Sequence, residues 1–141
     1  MKRICSNLYD TRELAFSLAK VLRGGEVITL TGDLGAGKTT FTQSLAKAMG
    51  VNEPVTSPTF TLMNQYDGNH LKLYHFDMYR IEDANDILEV GLTEYFGNSD
   101  AICVIEWAEN IKSVLPKNLI KVFINKLGET EREFVFENIE F

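Results

Sequence analysis

The sequence predicts an α/β fold, a three-layer sandwich with helices on both faces of a mixed central sheet. Two short apolar runs, 26–31 and 101–106, are rich in β-branched residues and are typical of buried strands. The first run is followed at once by a glycine-rich loop and then by a helical pattern. Two runs near the end of the chain, 119–125 and 132–139, predict a final antiparallel pair, so the sheet is expected to be mixed.

Size and composition predict one domain of a globular protein. The chain has 141 residues, 45% of them hydrophobic and 24% charged, which suffices for one substantial core but not for two. No apolar run approaches the roughly 20 residues that span a bilayer, and the start of the chain lacks the apolar stretch of a secretory signal. The sequence therefore predicts a single domain over residues 1–141, in the cytoplasm and without membrane contact.

Charge and the few reactive side chains limit the function classes further. The net charge is −6, and the 14 lysines and arginines form no basic run, so direct binding of a nucleic-acid backbone is not expected. Any role in nucleic-acid chemistry is predicted to depend on a partner. Two histidines, His70 and His75, are too few for a metal cluster, and the cysteines form no zinc pattern. Cys103 lies within an apolar strand and is predicted to be a buried thiol.

The first elements of the chain are a predicted edge strand over 2–6 and a helix over 11–22. The helix prediction depends on apolar residues at helical intervals and on Asp10 and Glu13, which have the spacing of a capping box. A glycine pair at 24–25 ends this helix. The remaining predicted elements are, in order, a helix over 38–49 closed by Gly50, strands over 61–66 and 71–76 joined by the turn 67–70, a helix over 82–96 interrupted near Gly91, and a short helix ending near Val114.

The glycine-rich loop carries the most specific single motif of the chain. Gly32, Gly37, Lys38 and Thr39 fit the phosphate-loop pattern of glycine, four residues, glycine, lysine and serine or threonine. In such a loop the backbone amides turn toward phosphate oxygens, and the following helix presents its positive N-terminal end. Lys38 is expected to neutralise charge on the outer phosphates, and the Thr39 hydroxyl to bind Mg²⁺. The motif therefore predicts a nucleotide site with magnesium.

A phosphate-loop enzyme also needs an acid at the end of a neighbouring strand, to hold magnesium or orient a water. Glu106 ends one apolar strand, and Asp77 follows another in the segment HFDMYR. Either carboxylate could instead cap the next helix. Because its strand is expected to be the more fully buried one, Glu106 is favoured as the main acid and as a magnesium ligand, with Asp77 assisting from the side.

The segment 55–60 and the single tryptophan are further candidates. Ser57 and Thr59 are small hydroxyl donors where many phosphate-loop proteins sense the outer phosphate, and Pro58 stiffens their turn. A plain turn before a strand would explain the same residues. Trp107 directly follows the favoured acid, where either a functional role or core packing would account for it.

Three classes of phosphate-loop protein compete at this point. GTP enzymes of the Ras type read guanine with Asn-Lys-x-Asp, and the segment 125–128 begins as Asn-Lys but has Gly128 in place of the aspartate. A small-molecule or nucleotide kinase closes an arginine-bearing lid, and beyond the loop the chain has only Arg80 and Arg132. The third class is a binding module in which ATP sets an assembly and hydrolysis resets it.

Four segments in order, GDLGAGKTTFTQ, VTSPTFTL, YHFDMYR and VIEWAE, resemble the bacterial TsaE family, also called YjeE. The resemblance runs from about Thr11 to Arg132. It implies a P-loop nucleotide hydrolase-like fold and a weak, Mg²⁺-dependent ATPase that binds ATP and ADP as an accessory protein of tRNA N6-threonylcarbamoyladenosine modification. It also implies TsaD and TsaB homologues as partners, whose assembly or turnover cycle ATP would drive, with tRNA bound only indirectly through that complex. A small-molecule kinase stays the alternative.

The resemblance further implies roles for individual residues. Lys38 and Thr39 take the phosphate and magnesium roles, Asp77 and Glu106 are the acidic positions, and Trp107 is the signature tryptophan. Lys38 and the two acids are the implied catalytic residues, and Thr39 and Glu106 the implied metal ligands. The implied nucleotide-binding residues are Thr11, Gly32, Asp33, Leu34, Gly35, Ala36, Gly37, Lys38, Thr39, Thr40, Ser57, Thr59, Trp107 and Arg132.

Two of these positions are distant from the loop in sequence. Thr11, in the first helix, matches a position near the nucleotide base, and Arg132, in the last hairpin, matches an arginine that approaches the nucleotide. One departure from the family pattern is Ala108, where many members have proline after the tryptophan. This difference affects the local turn and not the chemistry.

Overall fold

A seven-stranded mixed sheet forms the centre of the protein, and the computed structural model describes all 141 residues. The strands are β1 Lys2–Cys5, β2 Val27–Thr31, β3 Met63–Asp67, β4 Lys72–Asp77, β5 Ala101–Glu106, β6 Ile120–Lys126 and β7 Arg132–Glu137. Their order across the sheet is β1-β7-β6-β2-β5-β4-β3. The four central strands β6, β2, β5 and β4 run parallel, whereas β7 and β3 pair with them in the antiparallel sense and β1 pairs antiparallel with β7 at the edge. The α/β class and the mixed sheet are confirmed.

Helices cover both faces of this sheet, which gives the three predicted layers. The elements are α1 Leu8–Val21, α2 Lys38–Ala48, α3 Asn85–Glu89 and two 3₁₀ helices, Leu92–Tyr95 and Ala108–Val114. The helices α1 and α2 pack together over a core of 22 buried apolar residues. The short helices cover the other face, over a core of ten. Alternation along β2 and β5 divides their side chains between these two cores.

Most predicted elements are confirmed close to their predicted bounds. The strand β1 lies at the edge of the sheet, and β2 lies in its middle. The hairpin of β3 and β4 and the final pair of β6 and β7 are both antiparallel. The helix α2 ends at Ala48, and Gly50 follows with a left-handed φ of +90°. Short local patterns therefore predicted the sheet and the helix after the loop.

The predicted start of α1 is wrong by three residues. The helix begins at Leu8, because the Asn7 side chain accepts a hydrogen bond from the Asp10 amide and caps the first turn. The Asp10 carboxylate accepts in turn from the Ser6 amide at 2.9 Å. Asp10 therefore belongs to the cap that begins at Asn7, and its carboxylate accepts from the chain that precedes the helix. The predicted capping box of Asp10 with Glu13 does not form.

The predicted helix over 82–96 is mostly not α-helical. Only Asn85–Glu89 forms an α-helix, and a 3₁₀ helix follows at Leu92–Tyr95. The Asp83 carboxylate accepts from the Asn85 amide and delays the start of the helix, whereas Gly91, at a φ of +80°, ends it. The short helix ending at Val114 is likewise 3₁₀.

Two further observations concern membrane-spanning helices and the buried cysteines. No helix of the protein combines the length and the apolar character that a membrane span requires. Cys5 and Cys103 are both buried and unpaired, as the apolar setting of Cys103 predicts. Burial raises the pKa of the Cys103 thiol to about 12, so this group stays protonated at neutral pH and packs as a small apolar side chain.

Candidate functional site

The candidate site lies where three parallel strands end side by side. In the strand register, Leu30 of β2 pairs with Glu106 of β5, and Glu106 pairs with Asp77 of β4. The phosphate loop leaves β2 one residue later, at the carboxyl edge of the sheet. Glu106 and Asp77 also share one face of the sheet, the face that α1 and α2 cover, because they continue the alternation of Val104 and Leu73. The fold therefore brings both predicted acids to the loop.

Backbone geometry shapes the loop for close approach of a ligand. Gly35 and Gly37 have φ angles of +83° and +107°, which favour glycine. At Gly32, a Cβ would lie 2.6 Å from the carbonyl oxygen of Ile124, so a side chain is excluded there too. Gly37 caps α2 without a side-chain hydrogen bond, so the first amides of this helix have no side-chain acceptor. Together, these features suit the binding of an anion at a helix N-terminus.

The lysine and the threonine of the motif, Lys38 and Thr39, begin α2 directly after this loop. Lys38 is buried, and its Nζ donates a 2.7 Å hydrogen bond to the Gly32 carbonyl oxygen. The same Nζ lies 4.0 Å from the ring centroid of Trp107, within cation–π range. Thr39 is half-buried next to Lys38. Asp33 and Leu34 are exposed at the tip of the loop, with Leu34 90% exposed.

Asp77 is surrounded by hydrogen-bond donors of the protein. Its Oδ2 accepts from Ser57 Oγ at 3.0 Å and from Thr59 Oγ1 at 3.3 Å. Its Oδ1 accepts from the Tyr79 amide at 3.0 Å. Asp77 therefore fixes the segment 57–59 against the end of β4. The structure brings the two predicted hydroxyl donors to the acid rather than leaving them free in the loop.

Glu106 has one buried partner that the sequence did not reveal. Its Oε2 lies 2.6 Å from Nε2 of His75, which is completely buried on β4. His75 was considered only as a member of a metal cluster. The alternation of β4 could have indicated it, since His75 lies two residues before Asp77 and so points to the same face.

Trp107 directly follows Glu106, just after the end of β5. Its backbone is left-handed, with φ 59° and ψ 39°, a conformation that costs a non-glycine residue about 1–3 kcal/mol. Its ring packs 5.0 Å from the ring of Tyr79 and is only partly buried. The strained turn thus holds the indole over Lys38.

A cavity of about 310 Å³ adjoins the loop on the side of α1 and β7. Arg132 crosses its wall and donates from Nε to the Ala36 carbonyl oxygen at 2.9 Å, with Nη1 bonded to the carbonyl oxygen of Gly128. Thr11 lies in the same wall and is buried. The lining residues are Asn7, Leu8, Thr11, Ala36, Gly37, Thr40, Glu129, Thr130, Arg132 and Phe134. The fold therefore brings the two distant candidate positions, Thr11 and Arg132, to the phosphate loop.

The arrangement is suited to phosphate chemistry. One buried lysine, a helix N-terminus, a threonine hydroxyl and two carboxylates converge at one edge of the sheet. Hydroxyl and carboxylate oxygens are hard donors of the kind that Mg²⁺ prefers, usually together with substrate phosphates. The donor set therefore fits a magnesium–nucleotide complex.

Comparison with known proteins agrees with these motifs. The sequence model of TsaE, described as threonylcarbamoyl adenosine biosynthesis protein TsaE, matches residues 5–134. The chain is 42% identical over 130 residues to the tRNA threonylcarbamoyladenosine biosynthesis protein TsaE of Bacillus subtilis, covering 92% of this chain and 80% of that protein. It is 47% identical over 105 residues to the protein of the same name from Aquifex aeolicus, covering 73% of each.

One solved structure and a further sequence relative give the same relationship. A crystal structure of Bacillus subtilis YdiB superposes with a TM-score of 0.81 and 39% sequence identity, covering 96% of this chain and 83% of that one. The TsaE protein of Treponema pallidum, 37% identical, aligns with 94% of this chain and 97% of its own length. The family match spans nearly the whole chain and includes the phosphate loop, both acids and the tryptophan. The chain belongs to the TsaE family of threonylcarbamoyl adenosine biosynthesis proteins.

Proposed function

We propose that this protein binds ATP with Mg²⁺ at the phosphate loop, hydrolyses it slowly, and uses it to drive the assembly or turnover cycle of a TsaD–TsaB transferase. One observation carries the proposal: Lys38, Glu106 and Asp77 converge at one edge of the sheet, beside a helix N-terminus. Family membership supports the pathway, tRNA threonylcarbamoyladenosine biosynthesis. The tRNA itself would be bound by the partners.

The nucleotide would occupy the loop and the adjoining cavity. Its phosphates would lie against the backbone amides of 32–37 and the first turn of α2, where Lys38 would exchange the Gly32 carbonyl for a phosphate oxygen. The base and ribose would extend into the 310 Å³ cavity, past Thr11 and Arg132. The Arg132 guanidinium is already fixed by backbone carbonyls, which makes it a wall of the site rather than a mobile lid.

Magnesium would be held by the Thr39 hydroxyl and the Glu106 carboxylate together with the phosphates. The ion would neutralise charge that develops on the transferred phosphoryl group. The residues of the chain supply the rest: Lys38 binds the outer phosphates, Glu106 orients the attacking water, and Asp77 fixes the segment 57–59 beside them. Ser57 and Thr59, which donate to Asp77, would then sense the outer phosphate through that carboxylate.

Adenine is the expected base. The element that reads guanine in Ras-type enzymes would require an aspartate at position 128, and Gly128 has no side chain. It lies in the turn whose carbonyls bond Arg132, next to Glu129 and Thr130 of the cavity wall. No carboxylate at this position can therefore accept from a guanine amine.

Partner dependence is supported by the surface around the site. Leu34, Phe60 and Tyr79 are 90%, 85% and 60% exposed, and each lies within or beside a segment of the site. The Arg80 guanidinium lies 5.0 Å from the Phe60 ring centroid, within cation–π range of that ring. Since Arg132 is also bonded to backbone, no free arginine completes the site, which disfavours a kinase lid and favours a group supplied by a partner.

Nucleotide titration and a pull-down test the proposal. Calorimetry with ATP, ADP, GTP and GDP, with and without Mg²⁺, should show tighter binding of the adenine nucleotides. A pull-down should retain the TsaD and TsaB homologues with ATP and release them without it. A preference for guanine nucleotides, or ADP release that depends on a small metabolite, would contradict the proposal.

A further inference from the structure

We propose that His75 is a positioning residue, whose imidazole fixes the Glu106 carboxylate beside the phosphate loop; the inference rests on the proposed function. His75 has 0% of its surface exposed, and its Nε2 lies 2.6 Å from Glu106 Oε2. The two residues come from neighbouring parallel strands, on which His75 pairs with Val104 and Glu106 with Asp77. The contact therefore links two strands at the edge of the sheet where the loop begins.

Packing alone would favour an apolar side chain over an imidazole at this position. Leu73, two residues earlier on the same face, is an ordinary core side chain. His75 must be removed from water, yet only one of its nitrogens finds a partner: Nδ1 is the only fully buried side-chain polar atom of the protein without a hydrogen bond. Burial of an unpaired polar atom opposes folding. Packing therefore does not explain the residue, and its one polar contact does.

The unpaired nitrogen determines where the ring carries its proton. A protonated Nδ1 would leave a buried N–H donor without an acceptor, which is rarer and more costly than an unpaired acceptor lone pair. Nε2 is therefore the nitrogen that donates, and the Glu106 carboxylate accepts. The His75 side chain makes no other hydrogen bond, so its only polar link to the site is Glu106.

This hydrogen bond fixes one oxygen of Glu106 and leaves the other available. Oε1 accepts no hydrogen bond from the protein and, unlike His75 Nδ1, is not fully buried. A glutamate side chain has three rotatable bonds, and fixing Oε2 removes most of that freedom before the nucleotide arrives. Oε1 is then presented to magnesium or to the attacking water from a defined place.

Two variants of His75 separate positioning from packing. In single-turnover ATP hydrolysis, His75→Leu should lose about 10–100-fold in rate, the usual effect of removing the group that orients a ligand residue. Its ATP and ADP affinities should stay close to wild type, because Lys38 and the loop are unchanged. His75→Gln retains an amide N–H donor and should recover most of the lost rate. A wild-type rate in His75→Leu would overturn the proposal.

A double-mutant cycle shows whether the effect passes through Glu106. In a Glu106→Gln background, His75→Leu should cause no further loss, since the carboxylate that it positions is gone. Thermal unfolding of each variant is the control for folding. A loss of rate that only follows the folded fraction, or one that is equal in both backgrounds, would assign His75 a purely structural role.

Nitrogen-15 NMR of the ring gives a readout that needs no hydrolysis, and it applies even if His75→Leu does not fold. The nucleotide-free wild type should show a proton on Nε2, and Glu106→Gln should shift the Nε2 signal. An Nε2 that carries no proton would overturn the positioning proposal alone, because it could not donate to the Glu106 carboxylate. Failure of the wild type to bind ATP would instead overturn the proposed function and leave the ring assignment intact.

Discussion

Asp77 and Glu106 end neighbouring strands in register, but the protein surrounds their carboxylates differently. Asp77 accepts hydrogen bonds at both oxygens, from two hydroxyls and one backbone amide. Glu106 accepts only one, from His75. A carboxylate with a free oxygen is better able to take a cation or a water. Residue environment therefore favours Glu106 as the acting acid and Asp77 as the residue that fixes the segment 57–59.

Alanine variants of three site residues should separate binding from hydrolysis. Glu106→Ala should leave ADP affinity largely intact and lower the hydrolysis rate by about 10²–10³-fold, the typical effect of losing a transition-state contact. Lys38→Ala should weaken nucleotide binding itself, because the phosphates lose their main cation. Asp77→Ala should fall between the two, since it releases Ser57 and Thr59 without removing Glu106, the proposed acting acid. Single-turnover hydrolysis and nucleotide titration of each variant measure both effects.

The matched control for the acids is the amide. Glu106→Gln preserves the size of the side chain and removes its charge, so it should match Glu106→Ala in hydrolysis if the charge matters. Asp77→Asn retains an oxygen that can accept from Ser57 and should be milder than Asp77→Ala. Normal hydrolysis in Glu106→Ala together with an inactive Asp77→Ala would show that the two roles are reversed.

At the scale of elements, local signals predicted the strand, loop and helix of the phosphate site, because all three are encoded within about 25 contiguous residues. The start of α1 was mispredicted because Asn7 and Asp10 are both good capping residues, and the pattern alone does not choose between them. His75 was missed for a different reason. Its role depends on the pairing of two strands, and this pairing brings together residues 31 positions apart.

The cap of α1 makes a prediction about stability. Asn7→Ala removes the acceptor of the Asp10 amide and should lower the free energy of unfolding by about 1 kcal/mol. Asn7→Ser can still cap the helix and should be nearly neutral, so it serves as the matched control. Denaturant unfolding measures the difference. Equal stability of the alanine and serine variants would contradict the assignment of Asn7 as the cap.

Asn7 and Leu8 also line the cavity beside the loop. The first turn of α1 therefore contributes both to the stability of the helix and to the wall of the candidate base site. From the sequence, Thr11 and Arg132 were assigned to the nucleotide site only through the resemblance to the family. Their meeting depends on the packing of α1 against α2 and on the position of β7 in the sheet. Such long-range placement leaves no local pattern, which explains why the loop was predicted from its residues and the cavity was not.

At the scale of the whole molecule, charge and exposed apolar side chains are distributed in a way that suits a protein partner. The net charge of −6 does not suit direct binding of an RNA backbone. The most exposed large apolar side chains, Leu34 and Phe60, both lie beside the candidate site. Phe60 follows Thr59, whose hydroxyl contacts Asp77. A partner that covers Phe60 would therefore touch a segment bonded to a site acid.

Hydrolysis is accordingly expected to depend on the proposed TsaD–TsaB partners. The isolated protein should turn over well below the roughly 1–100 s⁻¹ of kinases, and the partners should raise that rate. Phe60→Ala should preserve nucleotide affinity and the unstimulated rate but reduce the stimulated one. The control is Phe16→Ala on α1: Phe16 is 52% exposed and has Lys20 5.6 Å from its ring centroid, much as Phe60 has Arg80 at 5.0 Å. Steady-state hydrolysis across a partner titration measures these rates. Equal stimulation of the two variants would exclude Phe60 from the partner contact, and kinase-like turnover without partners would contradict partner dependence itself.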